Sequence, residues 1–256
     1  MRKVSWYYKF LIFKIKKKTN LDKFETFRTK SLDQIFNYFG SDKGSKVLDP
    51  YSKSPGKYIG HGFGKFYEKH FKKYQKQKFN LLEIGTWEGA SLASFHTFFF
   101  NAFIFGIDRN FKNKYRSKRL NFLYCNTTKG SDLKILTNKL NNKKFKIIID
   151  DGSHLLKDII NNLNFFFKFV EKGGYYIIED YNHPKYYKFL NDGNGQEPFI
   201  DEIIDCFKKK KFFNSNILSK GDQKNFLNNI ANIYTYKGDL IDLNKNVSDL
   251  LILKKN

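Results

Sequence analysis

The feature that most constrains the fold is an alternation, from residue 79 onward, of short apolar runs with longer segments of helical spacing. The expected strands are residues 79–84, 102–108, 121–125, 145–150 and 175–179, and the expected helices between them are residues 90–99, 131–140 and 155–170. Apolar strands joined by helices are typical of a parallel sheet that is covered on both faces. The sequence therefore predicts an α/β fold with a doubly wound, mostly parallel sheet.

The two ends of the chain have different patterns. Residues 1–75 predict a mainly helical N-terminal extension, in which SLDQIFNYFG is a helix capped by Ser31 and ended by Gly40, and a Gly-, Ser- and Pro-rich stretch over 41–62 is a lid. FIDEIIDCFKKKK predicts another helix, and NIYTY, LIDL and DLLILKK predict a C-terminal antiparallel hairpin. We place the domain boundary between residues 75 and 76.

The net charge of +22 over 256 residues raises the question of a nucleic-acid partner. The lysines are scattered apart from runs at 16–18 and 208–211, no nucleic-acid-binding motif accompanies them, and the abundant Phe, Tyr, Lys, Ile and Asn share A/T-rich codons. We therefore expect no nucleic acid. Cys125 and Cys206 are too few for a disulfide framework, which indicates a reducing, cytoplasmic compartment.

The N-terminal sequence MRKVSWYYKFLIFKIKKK is aromatic and basic. Its apolar stretch is too short to span a bilayer, which needs about 20 residues, and no small-residue cleavage site follows it. One interpretation is that residues 4–18 lie in the interface of an anionic membrane, peripherally at its inner face. The other is that a helix packs on the domain or on another subunit of a homo-oligomer.

Ligands of such sheets bind beyond the carboxyl ends of the strands. The first strand runs into LLEIGTWEGASL, where Gly85 and Gly89 allow a tight turn and close approach to a ligand, and Asp108 ends the second strand, where it can accept hydrogen bonds from both ribose hydroxyls. The glycine spacing is not a dinucleotide fingerprint, so an NAD-linked dehydrogenase is the least expected function.

Two pairs of acids follow the fourth and fifth strands, in IIIDDGSH and IIEDYNHP. Neighbouring strands would bring Asp151, Glu179 and Asp180 together, and three carboxylates repel one another unless a cation lies between them. Oxygen ligands favour Mg²⁺ or Ca²⁺ over zinc. The alternative is that Asp151 or Ser153 only caps the next helix.

Together these motifs resemble a known family. Glu83 ahead of the two glycines, with Asp108 after the second strand, resembles class I S-adenosylmethionine-dependent methyltransferases. DDGSH and IIEDYNHP, behind FGSDKGS and HGFGKFYEKHF, resemble the metal-dependent sugar O-methyltransferases of macrolide biosynthesis, of the mycinamicin and macrocin type, and the cephalosporin hydroxylase-like group. The resemblance covers most of residues 31–185.

The resemblance implies a Mg²⁺-dependent O-methyltransferase that acts on a sugar hydroxyl of a glycan or glycosylated metabolite. In it, His154 would be the general base, and Asp151, Glu179 and Asp180 would hold Mg²⁺. The residues implied at S-adenosylmethionine are Asp42, Lys43, Glu83, Gly85, Trp87, Gly89, Asp108, Asn126 and Asp150. His61, Tyr181 and His183 would contact the sugar acceptor. There are two alternatives. One is RNA methylation, and the other is a non-catalytic glycan-assembly or membrane-associated module.

The chain departs from the family pattern in three places. It inserts VLDPYSKSPGKYIG between DKGS and His61, so we expect a lid of different shape. Phe63 stands where a tyrosine is common, which removes a hydroxyl. Asn126 lies where the family often has an acidic adenine contact, so a hydrogen bond from Asn126 to adenine is the weakest of these assignments.

Overall fold

The computed structural model describes residues 2–23, 27, 29–48, 56, 58–191, 197–242 and 244–256, with only the helical backbone for 2–6. The helices are α1 (Arg2–Ile15), α2 (Leu32–Phe39), α3 (Gly64–Phe71), α4 (Ala90–Phe98), α5 (Gly130–Leu140), α6 (Leu156–Phe166), α7 (His183–Tyr186), α8 (Ile200–Lys208) and α9 (Lys220–Asn229). The strands are β1 (Thr19–Asn20), β2 (Asn80–Ile84), β3 (Phe103–Asp108), β4 (Tyr115–Arg116), β5 (Leu120–Tyr124), β6 (Phe145–Asp150), β7 (Val170–Glu179), β8 (Ile230–Lys237), β9 (Ile241–Asp242), β10 (Lys245–Asn246) and β11 (Asp249–Lys255).

The main sheet has the order β5-β3-β2-β6-β7-β11-β8. β5, β3, β2, β6 and β7 are parallel, and β11 pairs antiparallel with both β7 and β8. The predicted fold class is confirmed: a doubly wound, mostly parallel sheet that a C-terminal antiparallel hairpin completes. The strand order reverses between β2 and β6, and this reversal opens the crevice in which such folds bind ligands.

Side-chain alternation along the strands separates two cores. Leu82, Ile107 and Ile148 pack with α5, α6 and α8 on one face, whereas Leu81 and Ile147 pack with α2, α3 and α4 on the other. Acids that end a strand therefore belong to a face as well. By the alternation of side chains along a strand, Glu83 and Glu179 lie on the face of the second core, and Asp150 lies on the face of the first.

The N-terminal segment is built onto the second core. Ser31 caps α2 with a reciprocal capping box and Gly40 ends it in a left-handed conformation at φ 74°, as predicted. In α1, Phe10 and Phe13 pack on Phe111, with ring centroids 5.6 and 5.4 Å apart. None of the described helices is long and apolar enough to cross a bilayer.

The predicted lid is described only in part, because residues 49–55 and 57 lie outside the described residues. Its two ends are joined by backbone hydrogen bonds: His61 N donates to Asp42 O at 2.6 Å, and Phe63 N donates to Lys43 O at 2.8 Å. The DKGS and HGFG motifs therefore lie side by side over the sheet.

β7, β9 and α9 are among the elements that differ from the prediction. β7 begins at Val170 rather than at residue 175, because the preceding helix ends at Phe166 and a short 3-10 turn follows it. LIDL contributes only the two-residue strand β9, which pairs with β10 outside the main sheet. α9 was not predicted, because its sequence KGDQKNFLNN buries only Gln223 and Phe226 and shows little apolar periodicity.

Candidate active site

A cavity of about 320 Å³ opens at the carboxyl ends of β2, β3, β5 and β6. It is lined by Asp42, Ile84, Gly85, Trp87, Ile107, Asp108, Arg109, Asn110, Cys125, Asn126, Thr127, Thr128, Asp151, Gly152, Ser153, His154 and Asp158. The cavity thus joins the glycine-rich turn after β2 to the DDGSH turn after β6. Five of the predicted cofactor residues are in this lining, together with the predicted metal ligand Asp151 and the predicted base.

Asp108 organises the rim of the cavity. Its Oδ2 accepts a hydrogen bond from Trp87 N at 2.9 Å, and its Oδ1 accepts one from Asn110 N at 2.6 Å. Trp87 has a φ of 46°, and its indole is 52% exposed beneath the ammonium of Lys112, 3.2 Å from the ring centroid. A carboxylate held by two backbone donors is a fixed acceptor at the cavity wall.

Gly85 is required by close packing. It has a φ of 82°, and a Cβ there would lie 2.0 Å from Asp151 O, so no other residue would let the end of β2 approach the DDGSH turn. Gly89 begins α4 at a φ of 87°, where a Cβ would lie 2.3 Å from Asn113 Oδ1. Gly89 does not line the cavity, so its predicted cofactor contact stays a prediction.

Glu83 and Asp150 are buried beneath the cavity rather than in its wall. Glu83 accepts a hydrogen bond from Ser91 Oγ at 2.7 Å, and burial raises the pKa of Glu83 to about 7. Asp150 accepts hydrogen bonds from Asn162 Nδ2 and Tyr176 Oη, both at 3.2 Å, and burial raises the pKa of Asp150 to about 7. The predicted contact between Asp150 and the cofactor stays a prediction.

Asn126 lines the cavity, as the adenine assignment requires, but its Oδ1 is already engaged. It accepts hydrogen bonds from Thr128 N at 3.2 Å and from Thr128 Oγ1 at 2.8 Å. The neighbours Thr127 and Arg109, which the sequence analysis missed, also line this end of the cavity. Both directly follow predicted site residues in the same turns.

Lys43 is the largest difference from the predicted site. Its side chain is 1% exposed, and Nζ lies 2.5 Å from Asp151 Oδ2, 2.8 Å from Glu179 Oε2 and 3.5 Å from Glu83 Oε1. Burial lowers the pKa of Lys43, but these carboxylates outweigh it and hold the pKa well above its ordinary value. Lys43 is thus the counter-ion of the acids. It does not line the cavity, so its predicted cofactor contact stays a prediction without support from this geometry.

Glu179 is enclosed in the second core. Besides Lys43, its Oε1 accepts a hydrogen bond from the buried Tyr67 hydroxyl. Burial raises the pKa of Glu179 well above its ordinary value, although Lys43 opposes this. Tyr67, in the motif HGFGKFYEKHF, is therefore a direct hydrogen-bond partner of Glu179, a predicted metal ligand. The motif alone did not reveal this contact.

Asp180 faces imidazoles instead of Lys43. His61 Nδ1 lies 3.2 Å and His183 Nε2 lies 3.5 Å from Asp180 Oδ1. Burial raises the pKa of Asp180, but His61 and the other imidazoles outweigh it and hold the pKa below its ordinary value. Burial lowers the pKa of His61, but Asp180 outweighs it and raises the pKa to about 9.

His154, the predicted general base, lies in the wall of the cavity. Its φ is 55°, and its Nε2 is 3.5 Å from Asp151 Oδ1. The carboxylate can orient the imidazole. His61, Tyr181 and His183 do not line the cavity. Tyr181 is 6% exposed within the first core, so its predicted sugar contact stays a prediction without support from this geometry.

Among the described residues, the three predicted Mg²⁺ ligands do not form one compact set of ligand atoms, and both oxygens of Glu179 are engaged by Lys43 and Tyr67. Asp151, Glu179 and Asp180 offer oxygen atoms, and Asp180 Oδ1 is buried without a hydrogen bond of good geometry. Glu179 and Asp151 share the Lys43 ammonium, so part of the negative charge is balanced by the chain itself. The assignment of these three residues to Mg²⁺ stays a prediction.

Comparisons with known proteins agree with the predicted resemblance. The chain is 31% identical over 127 residues, 47% of its length, to demethylmacrocin O-methyltransferase of Streptomyces fradiae and to mycinamicin VI 2''-O-methyltransferase of Micromonospora griseorubida. A tetracenomycin-C rhamnosyl 2'-O-methyltransferase of Streptomyces olivaceus is 25% identical over the same number of residues. The matched region is about a third of each relative, at 32%, 31% and 33% of its length. No protein-family model matches the chain.

The fold is also that of a solved methyltransferase. The chain matches MycE methyltransferase of the mycinamycin biosynthetic pathway, in complex with Mg, SAH and mycinamycin VI, with a TM-score of 0.62 and 21% identity over 88% of this chain and 54% of that one. At this identity the match shows the fold, a class I methyltransferase sheet. The resemblance to macrolide sugar O-methyltransferases is thus confirmed by homologues, which the chain matches over about a third of their length.

Proposed function

We propose that the protein is an S-adenosylmethionine- and Mg²⁺-dependent O-methyltransferase that acts on a sugar hydroxyl of a glycan or glycosylated metabolite. The observation that carries the proposal is the composition of one cavity, in which Gly85 and Asp108 line one end and Asp151 and His154 line the other. The relatives are named as O-methyltransferases, one of them of a rhamnosyl group, and MycE was solved in complex with Mg and SAH.

The chain's own residues supply binding, orientation and proton transfer. Asp108 accepts hydrogen bonds from the ribose hydroxyls, and Gly85 lets the methionine moiety approach the backbone. When bound by Asp151, Glu179 and Asp180, Mg²⁺ would lower the pKa of the acceptor hydroxyl.

His154 takes the hydroxyl proton on its imidazole as the acceptor oxygen forms its bond to the methyl carbon. The carbon–sulfur bond breaks, and its electron pair returns to sulfur, so the sulfonium leaves as neutral S-adenosylhomocysteine. Asp151, 3.5 Å from the ring, stabilises the charge gained by the imidazole.

The decisive experiment is methyl transfer from radiolabelled S-adenosylmethionine, with Mg²⁺ or with a chelator, to a panel of glycosylated macrolides, polysaccharides and RNA. We expect label only on sugar-bearing acceptors and only with Mg²⁺. Label on RNA would favour the alternative of RNA methylation, which only the charge of +22 supports. If calorimetry detects no heat with S-adenosylmethionine or Mg²⁺, the chain is a non-catalytic module of the same fold.

We also propose that the protein works in the cytoplasm, against the inner face of the membrane. Its two cysteines are free, in keeping with a reducing compartment. In α1, Tyr8, Leu11, Ile12 and Ile15 are spaced as one helical face and are 65%, 43%, 42% and 83% exposed.

The charge around this face favours an anionic lipid surface. Residues 1–18 contain seven Lys and Arg and no Asp or Glu. The opposite side of α1 is held on the domain by Phe13, whose ring lies 5.4 Å from Phe111 and 5.2 Å from Phe122. An apolar face bordered by lysines suits insertion at lipid headgroups. The competing proposal is that a second copy of the chain covers this face of α1, which would make the protein a homo-oligomer.

A further inference from the structure

Three imidazoles surround the carboxylate of Asp180. Among the described residues, one compact set of metal-ligating side chains is found, His154, Asp180 and His183, each with a ligand atom within 4.8 Å of the others. The Asp180 side chain is 7% exposed. Its Oδ1 is buried without a well-formed hydrogen bond, although His61 Nδ1 lies 3.2 Å away. A buried carboxylate oxygen that faces imidazoles without a well-formed hydrogen bond can still accept a ligand.

The donor chemistry of this set differs from that of the Mg²⁺ site. Two nitrogens and one oxygen suit zinc, cobalt or nickel, whereas Mg²⁺ prefers oxygen alone. We infer that His154, Asp180 and His183 form a second cation site, selective for a divalent transition metal and overlapping the Mg²⁺ site only at Asp180. Three protein ligands would leave a fourth position open to water.

The observed distances are close to those that such an ion requires. Metal–ligand bonds of about 2.0 Å in a tetrahedral site place ligand atoms roughly 3.3 Å apart. His183 Nε2 and Asp180 Oδ1 are 3.5 Å apart, so this pair needs almost no movement. The ring centroids of His154 and His183 are 5.2 Å apart.

Binding would replace one existing hydrogen bond. His183 Nε2 lies 2.9 Å from Val247 O, a contact in which the ring nitrogen donates. Ligation through Nε2 requires the other tautomer, with the proton on Nδ1, and leaves Val247 O to another donor. This cost, typically about 1 kcal/mol, limits the affinity without preventing binding.

The consequence for activity rests on the proposed function. A transition metal in this set would bind the imidazole of His154, the proposed general base, and would share Asp180 with Mg²⁺. Zinc is therefore expected to inhibit methyl transfer, and excess Mg²⁺ is expected to relieve the inhibition only in part.

The test measures metal binding without substrate or turnover, so its failure is distinct from failure of the methyltransferase proposal. The chelator-treated full chain is titrated with Co²⁺ and followed by its visible absorption, and Zn²⁺ is then used to displace Co²⁺. The variant H183N keeps an amide donor for Val247 O, and H154Q provides an independent change at a residue that is 23% exposed on its side chain. H70N, at a histidine bonded to Tyr236, is the matched control.

We expect wild type and H70N to give the intense band of nitrogen-ligated, low-coordinate Co²⁺ and to bind Zn²⁺ alike. H183N and H154Q should each bind at least about 10-fold more weakly, since even outer-shell partners of a metal site are worth that much. The inference is overturned if wild type gives no such band, or if both variants retain wild-type affinity while circular dichroism shows them folded.

Discussion

The buried ammonium of Lys43 lies 2.5 Å from Asp151 Oδ2, 108 residues away in the chain. It also contacts Glu179 at 2.8 Å, so one side chain from DKGS bridges the two turns that end β6 and β7. The protein thus carries an internal cation at the acids where a divalent cation is predicted. A Mg²⁺ ion bound at these acids would share with Lys43 the balancing of the buried negative charge.

Replacing Lys43 with Met should destabilise the fold strongly at pH 7. Removal of one partner from a buried charge cluster typically costs about 3–5 kcal/mol, because the remaining carboxylates are left uncompensated. Mg²⁺ should restore part of this stability, and more in K43M than in wild type. Urea unfolding with and without MgCl₂ measures both effects.

The matched control is Lys65→Met, because Lys65 pairs with Asp239 at 2.7 Å but is 53% exposed. Such a pair is worth about 0–1 kcal/mol, so K65M should unfold almost as wild type does. A K43M protein as stable as K65M in the absence of Mg²⁺ would contradict the counter-ion role of Lys43.

Replacing His154 with Ala should lower methyl transfer by about 10²–10⁴-fold, the usual contribution of a general base. Binding of S-adenosylmethionine should change little, because the ribose contact at Asp108 is retained. Initial rates with the best acceptor of the panel, with calorimetry of S-adenosylhomocysteine, separate the two effects. H70A serves as the control, and full activity in H154A would remove His154 from the mechanism.

Replacing Asp108 with Asn should weaken cofactor binding by roughly 10- to 100-fold, because hydrogen bonds to a charged acceptor are worth about 1.5–3 kcal/mol. The amide still accepts one of the backbone hydrogen bonds from Trp87 and Asn110, so the turn should remain folded. Calorimetric titration with S-adenosylhomocysteine gives the affinity. Exposed Asp205→Asn should bind normally, and equal affinity in D108N would place the ribose elsewhere.

Continuous apolar runs made the strands of the parallel sheet predictable. The ends of the strands were harder to predict. Residues 170–174 read VEKGG, which resembles a loop, yet they extend β7 and pair Val170 with Phe145. Such an extension is set by the neighbouring strand and not by local propensity.

The residues of the candidate site that were predictable are those whose positions follow from the geometry of the parallel sheet alone. Asp108, Asp151 and His154 follow strand ends, and parallel strands bring these ends to one edge. The contacts of Lys43 and of Asp249, whose carbonyl accepts a hydrogen bond from Asp180 N at 2.6 Å, depend on distant segments packing together. No local pattern specifies those contacts.

Asp150 should make stability depend on pH. Its pKa is about 7 in the folded protein because of burial, against 3.8 ordinarily, so between these values the folded state binds more protons than the unfolded state. Stability should therefore fall as pH rises from about 4 to 7. Asp150→Asn should flatten this fall and gain up to roughly 4 kcal/mol relative to wild type at pH 8, since one pKa unit is about 1.4 kcal/mol. Urea midpoints from pH 5 to 8, with Asp205→Asn as control, measure it.

Removing charge from α1 should release the protein from anionic vesicles. Replacement of Lys14, Lys16 and Lys17 with Gln should reduce co-sedimentation with phosphatidylglycerol-containing vesicles by at least about 10-fold, since each basic residue near the surface contributes about 1 kcal/mol. The control replaces Lys209, Lys210 and Lys211, an equally exposed run, and should pellet as wild type does.

Apolar contact should matter independently of charge. Leu11→Gln with Ile15→Gln should also weaken pelleting, whereas Ile241→Gln, at a residue that is 59% exposed elsewhere, should not. Light scattering without vesicles measures the oligomeric state and so distinguishes a second copy of the chain from a membrane at this face. If wild type is an oligomer that L11Q/I15Q converts to monomer, and if vesicles pellet both equally, then the exposed face of α1 joins two copies of the chain and the membrane proposal fails.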